Sequence, residues 1–218
     1  MNIITISDTH NKHKLIPSKY IDNVDGEFDM IIHAGDISST GSKNEIRVFF
    51  NWYSKLPYKY IILIAGNHDF FFEEAPEYEI KAFLAEYPTV IYLNDSGVEI
   101  DGLKFWGSPV QPYFHNWAFN RIGDDICKHW ELIPLDTDIL ITHGPVKGFL
   151  DLSKEGINCG CPHLLEAISK LNNLKLFVFG HIHESYGIVK SPNGGVFINA
   201  SLLNREYQMT NIPISIKI

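Results

Sequence analysis

Five short apolar runs of this chain each end in residues that can bind a metal ion. Asp8-Thr9-His10 follows Ile3–Ile6, and Gly35-Asp36 follows Met30–His33. Gly66-Asn67-His68-Asp69 closes the run from Tyr60 to Ala65, His143-Gly144 follows Ile139–Thr142, and Gly180-His181-Ile182-His183 follows Leu174–Phe179. One such ending means little, because polar residues are common where strands meet solvent; five metal-competent endings are hard to obtain by chance. Carboxylate oxygen and imidazole nitrogen suit intermediate divalent ions such as Mn²⁺, Fe²⁺ and Zn²⁺, whereas cysteine-only sites point to structural zinc and all-oxygen sites to Mg²⁺ or Ca²⁺. Two ions held roughly 3.5–4 Å apart clamp a phosphate and activate water between them. A bridging carboxylate holds such a pair, and Asp36 is the residue expected to do so. Two divalent ions carry four positive charges; Asp8 and Asp36 cancel two, and the remainder attracts phosphate.

The elements that must position these residues read as strands alternating with helices or loops. β-Branched runs at Ile3–Ile6, Met30–His33 and Tyr60–Ala65 predict buried strands. A helix is expected from Ser42 or Asn44 to about Ser54, with Ile46, Phe49, Phe50 and Tyr53 at helical spacing. A second is expected from Tyr78 to Tyr87. Short strands follow at Thr89–Leu93, Gly97–Ile100 and Leu103–Trp106, the last two joined by a hairpin over Asp101-Gly102. A helix is expected over Asn116–Trp130, and another over Pro162–Leu171 with proline in its first turn. Tyr186–Lys190 and Gly195–Ile198 read as a hairpin, and Ile212–Ile218 as a final strand. In α/β sheets, sites form at the carboxyl ends of strands. The expectation is one α/β domain (α+β by some schemes) over residues 1–218, with two packed sheets flanked by helices.

A chain of 218 residues has room for a recessed site, and 45% hydrophobic with 20% charged residues is ordinary for a globular protein. The net charge of −8 argues against tracking extended nucleic acid. Only Arg47, Arg121 and Arg205 are arginines, so a positive phosphate site must draw on metal ions. Cys127, Cys159 and Cys161 give no disulfide framework, which predicts reduced thiols in an intracellular, cytoplasmic setting. The start of the chain does not read as a signal peptide, and no apolar run is long enough to span a bilayer.

Taken together and in order, Asp8-Thr9-His10, Gly35-Asp36, Gly66-Asn67-His68-Asp69, His143-Gly144 and Gly180-His181-Ile182-His183 resemble the calcineurin-like metallophosphoesterase pattern. The segment from Trp106 to Asn120 resembles the metallophosphoesterase-domain subgroup, and Asn158-Cys159-Gly160-Cys161-Pro162 matches it loosely. The resemblance implies a four-layer αββα sandwich with two mixed β-sheets. It implies one metal on Asp8, His10 and His183, a second on Asn67, His143 and His181, and Asp36 shared. It further implies that a hydroxide between the metals attacks phosphorus, that His68 faces the phosphate and either protonates the leaving alkoxide or stabilises charge on the transferring group, and that Asp69 orients His68. Mn²⁺ is the leading metal, with Fe, Zn and Mg as alternatives. Some animal members of the subgroup carry glycine in place of the last histidine; this chain keeps His183.

The activity implied is a phosphodiesterase on small substrates such as cyclic nucleotides. A phosphomonoesterase or protein phosphatase is the alternative within the class, and a nucleotide-binding scaffold the alternative outside it. Asn67, His68, His115, Arg121 and Cys159 are the candidates for substrate contact. Each has a second reading: His68 as loop packing, His115 as packing among aromatics, Arg121 as a helix-surface ion pair, and Cys159-Gly160-Cys161 as a tight loop. The aromatics from Tyr113 to Phe119 are either core or a wall for a nucleobase. Asp69 is open between orienting His68 and holding structure. His33 is expected to be a hydrogen-bonded core residue, while His13, His129 and His163 read as surface or helix positions.

Overall fold

Alternate residues of the central strands face different apolar layers, as the two-residue period of a strand requires. Ile31 packs with Phe49, Phe50 and Tyr53, while its neighbour Ile32 packs with Ile139, Ile141 and Val178. On the far side, Val178 joins that middle layer and Phe177 joins a third with Trp130, Leu164 and Phe197. Strands buried on both faces need continuous apolar runs, which is what these sequences supply.

The computed structural model describes residues 1–218. Its strands are β1 (Asn2–Ile6), β2 (Met30–Ala34), β3 (Tyr60–Ile64), β4 (Val90–Tyr92), β5 (Ser96–Ile100), β6 (Leu103–Ser108), β7 (Gln111–Pro112), β8 (Asn120–Arg121), β9 (Ile139–Thr142), β10 (Leu176–Phe179), β11 (Gly187–Lys190), β12 (Val196–Asn199) and β13 (Ile214–Lys217). The helices are α1 (Lys43–Tyr53), α2 (Phe71–Glu74), α3 (Glu77–Ala85), α4 (Asp124–Trp130) and α5 (Pro162–Ser169).

One sheet runs β13-β1-β2-β3-β4, parallel except for β13. The other runs β11-β12-β10-β9-β6-β5, with antiparallel edges and a parallel centre. Both sheets are mixed, and α1 and α3 cover the outer face of the first while α4 and α5 cover that of the second. The result is the four-layer sandwich. Beyond the ends of the sheets, Ser7 bridges in parallel to Ser201, joining the continuation of β1 to the segment after β12.

Local signals fix the elements. Ser42 caps α1 in a reciprocal box with Glu45. Asp101 and Gly102 have φ of 49° and 79°, the two left-handed residues that a tight hairpin needs. The helix expected over Asn116–Trp130 is not continuous: Asn120–Arg121 is β8, and the helix starts only at Asp124. The Asn120 side chain reaches back to the carbonyls of Phe114 and His115, at 3.1 and 2.9 Å, and Gly123 turns the chain at φ 53°. Local side-chain bonds of this kind compete with helix. His13 opens a helical turn, His13–Leu15, but does not lie at the surface. It is 1% exposed, tilted against Trp52 and edge-on to Phe49. His33 is a core residue, its Nδ1 accepting from Gly35 N and its Nε2 facing Thr9 Oγ1 at 3.0 Å.

Candidate metal centre and active site

The carboxyl ends of β1, β2 and β3 carry Asp8, His10, Asp36 and Asn67, and those of β9 and β10 carry His143, His181 and His183. The packing of two sheets brings the two groups together. Asp36 Oδ2 lies 3.4 Å from His143 Nε2, 3.5 Å from His10 Nε2 and 4.0 Å from His68 Nε2. Asp8 Oδ1 lies 3.4 Å from His183 Nε2 and 4.0 Å from His10 Nε2. The sets Asp8–His10–His183 and Asp8–Asp36–His143 each put their ligand atoms within 4.8 Å of one another. His181 packs edge-on to His143, with ring centroids 5.1 Å apart.

Backbone carbonyls set which nitrogen of each ring faces inward. Nδ1 of His10 meets Ser38 O at 3.1 Å, that of His68 meets Ser39 O at 2.8 Å, that of His143 meets Ala34 O at 3.0 Å, and that of His183 meets Asn204 O at 3.0 Å. A carbonyl only accepts, so each Nδ1 carries a proton and Nε2 is the nitrogen turned to the cluster, a lone-pair donor to a metal ion wherever it holds no proton of its own. These nitrogens converge. His143 Nε2 lies 2.8 Å from Asn67 Oδ1 and 3.4 Å from Asp36 Oδ2, where a proton or a metal ion on it satisfies both oxygens, and His10 Nε2 is buried without a partner. Such a cluster calls for cations at its centre, and its nitrogen and oxygen donors fit divalent metal ions.

The backbone is bent to reach this arrangement. Asp8, His10, Asp36 and His181 sit at φ of 53°, 38°, 56° and 69°. Left-handed backbone at a non-glycine residue costs about 1–2 kcal/mol and persists where surrounding contacts over-determine it. Here they do: Asp8 Oδ2 accepts from Ser201 Oγ at 2.8 Å and from His181 N at 3.0 Å, and Asp36 Oδ1 accepts from His68 N at 2.8 Å. A Cβ on Gly180 would run into Asp8 Oδ2, and one on Gly35, itself at φ 97°, would lie 2.6 Å from His143 Nδ1.

Electrostatics follow from burial and charge. Burial pushes the Asp8 and Asp36 carboxyls up, but neighbouring imidazoles, chiefly His183 for Asp8 and His143 for Asp36, outweigh it and hold both well below the usual range. Burial alone would lower His143 and His183; the carboxylates of Asp36 and Asp8 respectively raise each to about 9. Burial pushes His10 down to about 4 and His181 to about 3. Without metal, the cluster keeps protons on two of its rings because its carboxylates demand positive charge, and divalent ions must displace those protons to bind.

Asp69 does not orient His68, whose Nδ1 is taken by Ser39 O. Its buried carboxylate accepts from Gly66 N at 2.8 Å, Ser38 N at 3.0 Å, Ile37 N at 3.2 Å and Ser38 Oγ at 2.6 Å, stitching the turn after β3 to the turn after β2. Burial, then the Asp36 charge, raise it to about 6.

The pocket over the cluster is lined by His10, Asp36, Asn67, His68, Phe114, Trp117, His181, His183, Glu184, Arg205 and Tyr207. His115, Arg121 and Cys159 are outside this lining. Arg121 is committed to Glu73 Oε1 at 2.8 Å, His115 packs edge-on to Phe114 at the surface, and the exposed Cys159 thiol turns to Ile157 O. Cys161 instead caps α5, accepting from Leu164 N, and takes the Trp130 Nε1–H at 3.3 Å. The sequence reading missed Ser201, Asn204, Arg205 and Tyr207. Asn199-Ala200-Ser201 closes a strand with polar residues, the same signal as the other five endings; the loop after it carries no such mark.

A family model described as calcineurin-like phosphoesterase matches residues 1–185. The Homo sapiens protein named metallophosphoesterase domain-containing protein 1 is 38% identical over 234 residues, covering 98% of this chain and 69% of the relative. A probable glycerophosphodiester phosphodiesterase, GpdQ, of Arcobacter nitrofigilis is 24% identical over 209 residues, covering 84% of this chain and 72% of that protein. Among solved structures, TT1561 of Thermus thermophilus superposes with a TM-score of 0.64 at 16% identity, covering 91% of this chain and 88% of the other.

Proposed function

This chain belongs to the calcineurin-like phosphoesterase family, and on that premise we propose that it is a two-metal phosphodiesterase acting on small substrates such as cyclic nucleotides. The observation that carries the reading is the convergence of the inward-facing Nε2 atoms of His10 and His143 on Asp36 Oδ2, with that of His183 beside Asp8 Oδ1. Asp8, His10 and His183 would hold one ion, Asn67, His143 and His181 the other, and Asp36 both. Mn²⁺ is the metal we expect first, with Fe, Zn and Mg as alternatives on donor type. Once bound, the ions supply positive charge to the phosphate and bring the pKa of water toward neutrality.

The chain's own residues do the rest. His68, its Nδ1–H fixed on Ser39 O, holds Nε2 toward the pocket, where a proton on it serves the leaving alkoxide. Asn67 and His68 border the phosphate position, and Phe114, Trp117 and Tyr207 offer apolar faces to the organic part of a substrate. The kinship with a protein named as a phosphodiesterase supports a diester over a monoester. The net charge of −8 disfavours extended nucleic acid. No helix is long and apolar enough to cross a membrane. Three free cysteines support a reducing, cytoplasmic setting. We take residues 1–218 to act as one domain.

The test is a substrate panel with Mn²⁺. Bis-p-nitrophenyl phosphate and cyclic AMP should be hydrolysed faster than p-nitrophenyl phosphate. Cleavage of the monoester alone would overturn the diesterase reading, and no cleavage of any of the three would overturn the enzymatic one.

A further inference from the structure

The three arginines are committed to different degrees. Arg47 holds Glu86 through both terminal nitrogens, and Arg121 holds Glu73 and the carbonyl of Asn120. Arg205 lies on the catalytic pocket and is the only lysine or arginine in its lining. Its ionic contact is one nitrogen, Nη1, at 3.1 Å from Glu155 Oε1, between side chains 52% and 54% exposed. An exposed pair with one contact contributes little and exchanges readily. The guanidinium has five N–H donors in a planar fork that matches the oxygens of a phosphate or carboxylate.

The loop that presents Arg205 is fixed. Leu203 bridges to Met209, Asn204 N donates to Gln208 O at 2.9 Å, and Gln208 N donates to Asn204 Oδ1 at 2.8 Å. The Asn204 carbonyl that anchors His183 belongs to this loop, so Arg205 is held in register with the metal cluster. Depth separates their tasks. His10, Asp36 and Asn67 are 2–3% exposed at the pocket floor, where a scissile phosphate would be gripped, whereas Arg205 stands at the rim. The segment also lies past residues 1–185, the stretch that the family model matches.

We propose that Arg205 is a specificity-determining residue that reads a second anionic group on the substrate, a phosphate or carboxylate projecting from the pocket, and exchanges Glu155 for it. The inference rests on the phosphoesterase reading of the floor and adds a preference within its substrate class: small phosphoesters that carry another negative group bind more tightly than those that carry one, such as cyclic AMP. Glu155 then competes with the ligand for the guanidinium, and the nearby Glu184 disfavours anions that do not reach it.

Equilibrium binding tests this, with adenosine 3′,5′-bisphosphate and AMP as probes and Mn²⁺ present. Wild type should bind the bisphosphate about ten-fold more tightly, the size of one charge-assisted contact. Arg205→Gln should bring the two affinities to within about two-fold of each other. Arg205→Lys should retain part of the preference, and Glu155→Gln should enlarge it. A preference unchanged in Arg205→Gln, an equal fall for both ligands, or no preference in wild type overturns the inference. Hydrolysis of bis-p-nitrophenyl phosphate by the same preparations reports separately on the hydrolase reading, which fails if wild type does not turn over, whatever the binding ratio.

Discussion

The indole of Trp117 lies over the imidazole of His68, with ring centroids 4.0 Å apart and planes 32° from parallel. The next residue, Ala118, donates its N–H to Asn67 O at 3.0 Å, so the aromatic loop is sewn to the turn that carries both Asn67 and His68. Trp117 therefore holds the proposed proton donor from one face while Ser39 O holds it from its edge. Trp117→Ala should lower kcat on bis-p-nitrophenyl phosphate by up to about 100-fold, the scale of a misplaced catalytic group, with a smaller change in KM. Trp117→Phe should recover most of the loss. A wild-type kcat in the alanine variant would remove Trp117 from this role.

Asp36 is the carboxylate that lies within 3.5 Å of both His10 and His143; Asp8 stands 4.0 Å from His10. Asp36→Asn should reduce the metal content at both sites, read as ions per chain by elemental analysis after equilibration with Mn²⁺. His183→Ala should chiefly cost the ion shared with Asp8 and His10. Two full ions and normal turnover in Asp36→Asn would show that the carboxylate is not shared.

Asp69 is a structural anchor on its hydrogen bonds, and its removal should register first as lost stability. Asp69→Ala leaves buried N–H groups of Ile37, Ser38 and Gly66 without an acceptor. Each orphaned group costs about 1–3 kcal/mol, so a loss on the order of 3 kcal/mol in urea unfolding is expected after partial relaxation. Asp69→Asn, which keeps an acceptor oxygen, should lose less. Full stability in the alanine variant, with activity gone, would return Asp69 to a catalytic part.

His13 predicts a pH dependence away from the metal centre. Burial pushes it from 6.5 down to about 4, and neither ring nitrogen has a partner. The unfolded chain therefore binds a proton that the folded chain refuses, so stability is full above pH 6.5 and falls as pH drops toward 4. Between about pH 7.5 and about pH 5, this one residue should cost about 2 kcal/mol. His13→Phe, which keeps the packing on Trp52 and Phe49, should flatten the urea-midpoint profile by that amount relative to wild type. Taking the difference between the two proteins removes the opposite-signed contributions of His143 and His183. Parallel profiles would mean that His13 titrates normally.

Much of this fold was legible because its central strands are buried on both faces and end at metal-competent residues. Ile31-Ile32 or Phe177-Val178 can only be strand in such a setting, and the polar residue that follows marks where the backbone leaves the sheet. Less legible were contacts made by groups every residue shares. The carbonyls of Ser38, Ser39, Ala34 and Asn204 orient four imidazoles, and no side-chain identity announces them. The helix expected across Asn116–Trp130 failed because the Asn120 amide found closer partners in Phe114 and His115. His115, Arg121 and Cys159 stand near aromatic or glycine-rich motifs in sequence, yet the chain turns them away from the pocket and brings Arg205 and Tyr207 in from a loop with no motif of its own.

The seven proposed ligands are strung from Asp8 to His183, with four on the first sheet's turns, one of them shared, and the last three on the second. That order has a temporal meaning. During synthesis β1 to β4 emerge first with Asp8, His10, Asp36 and Asn67 at their ends, but β13 and the Ser201 contact to Asp8 come last, and neither ion has its full set of side chains until residues beyond His143 leave the ribosome. Metal loading is then a completion step. It would report that both halves have docked rather than guide the first half into shape, and a nascent chain stalled before His181 would be folded in part and empty of its ion pair.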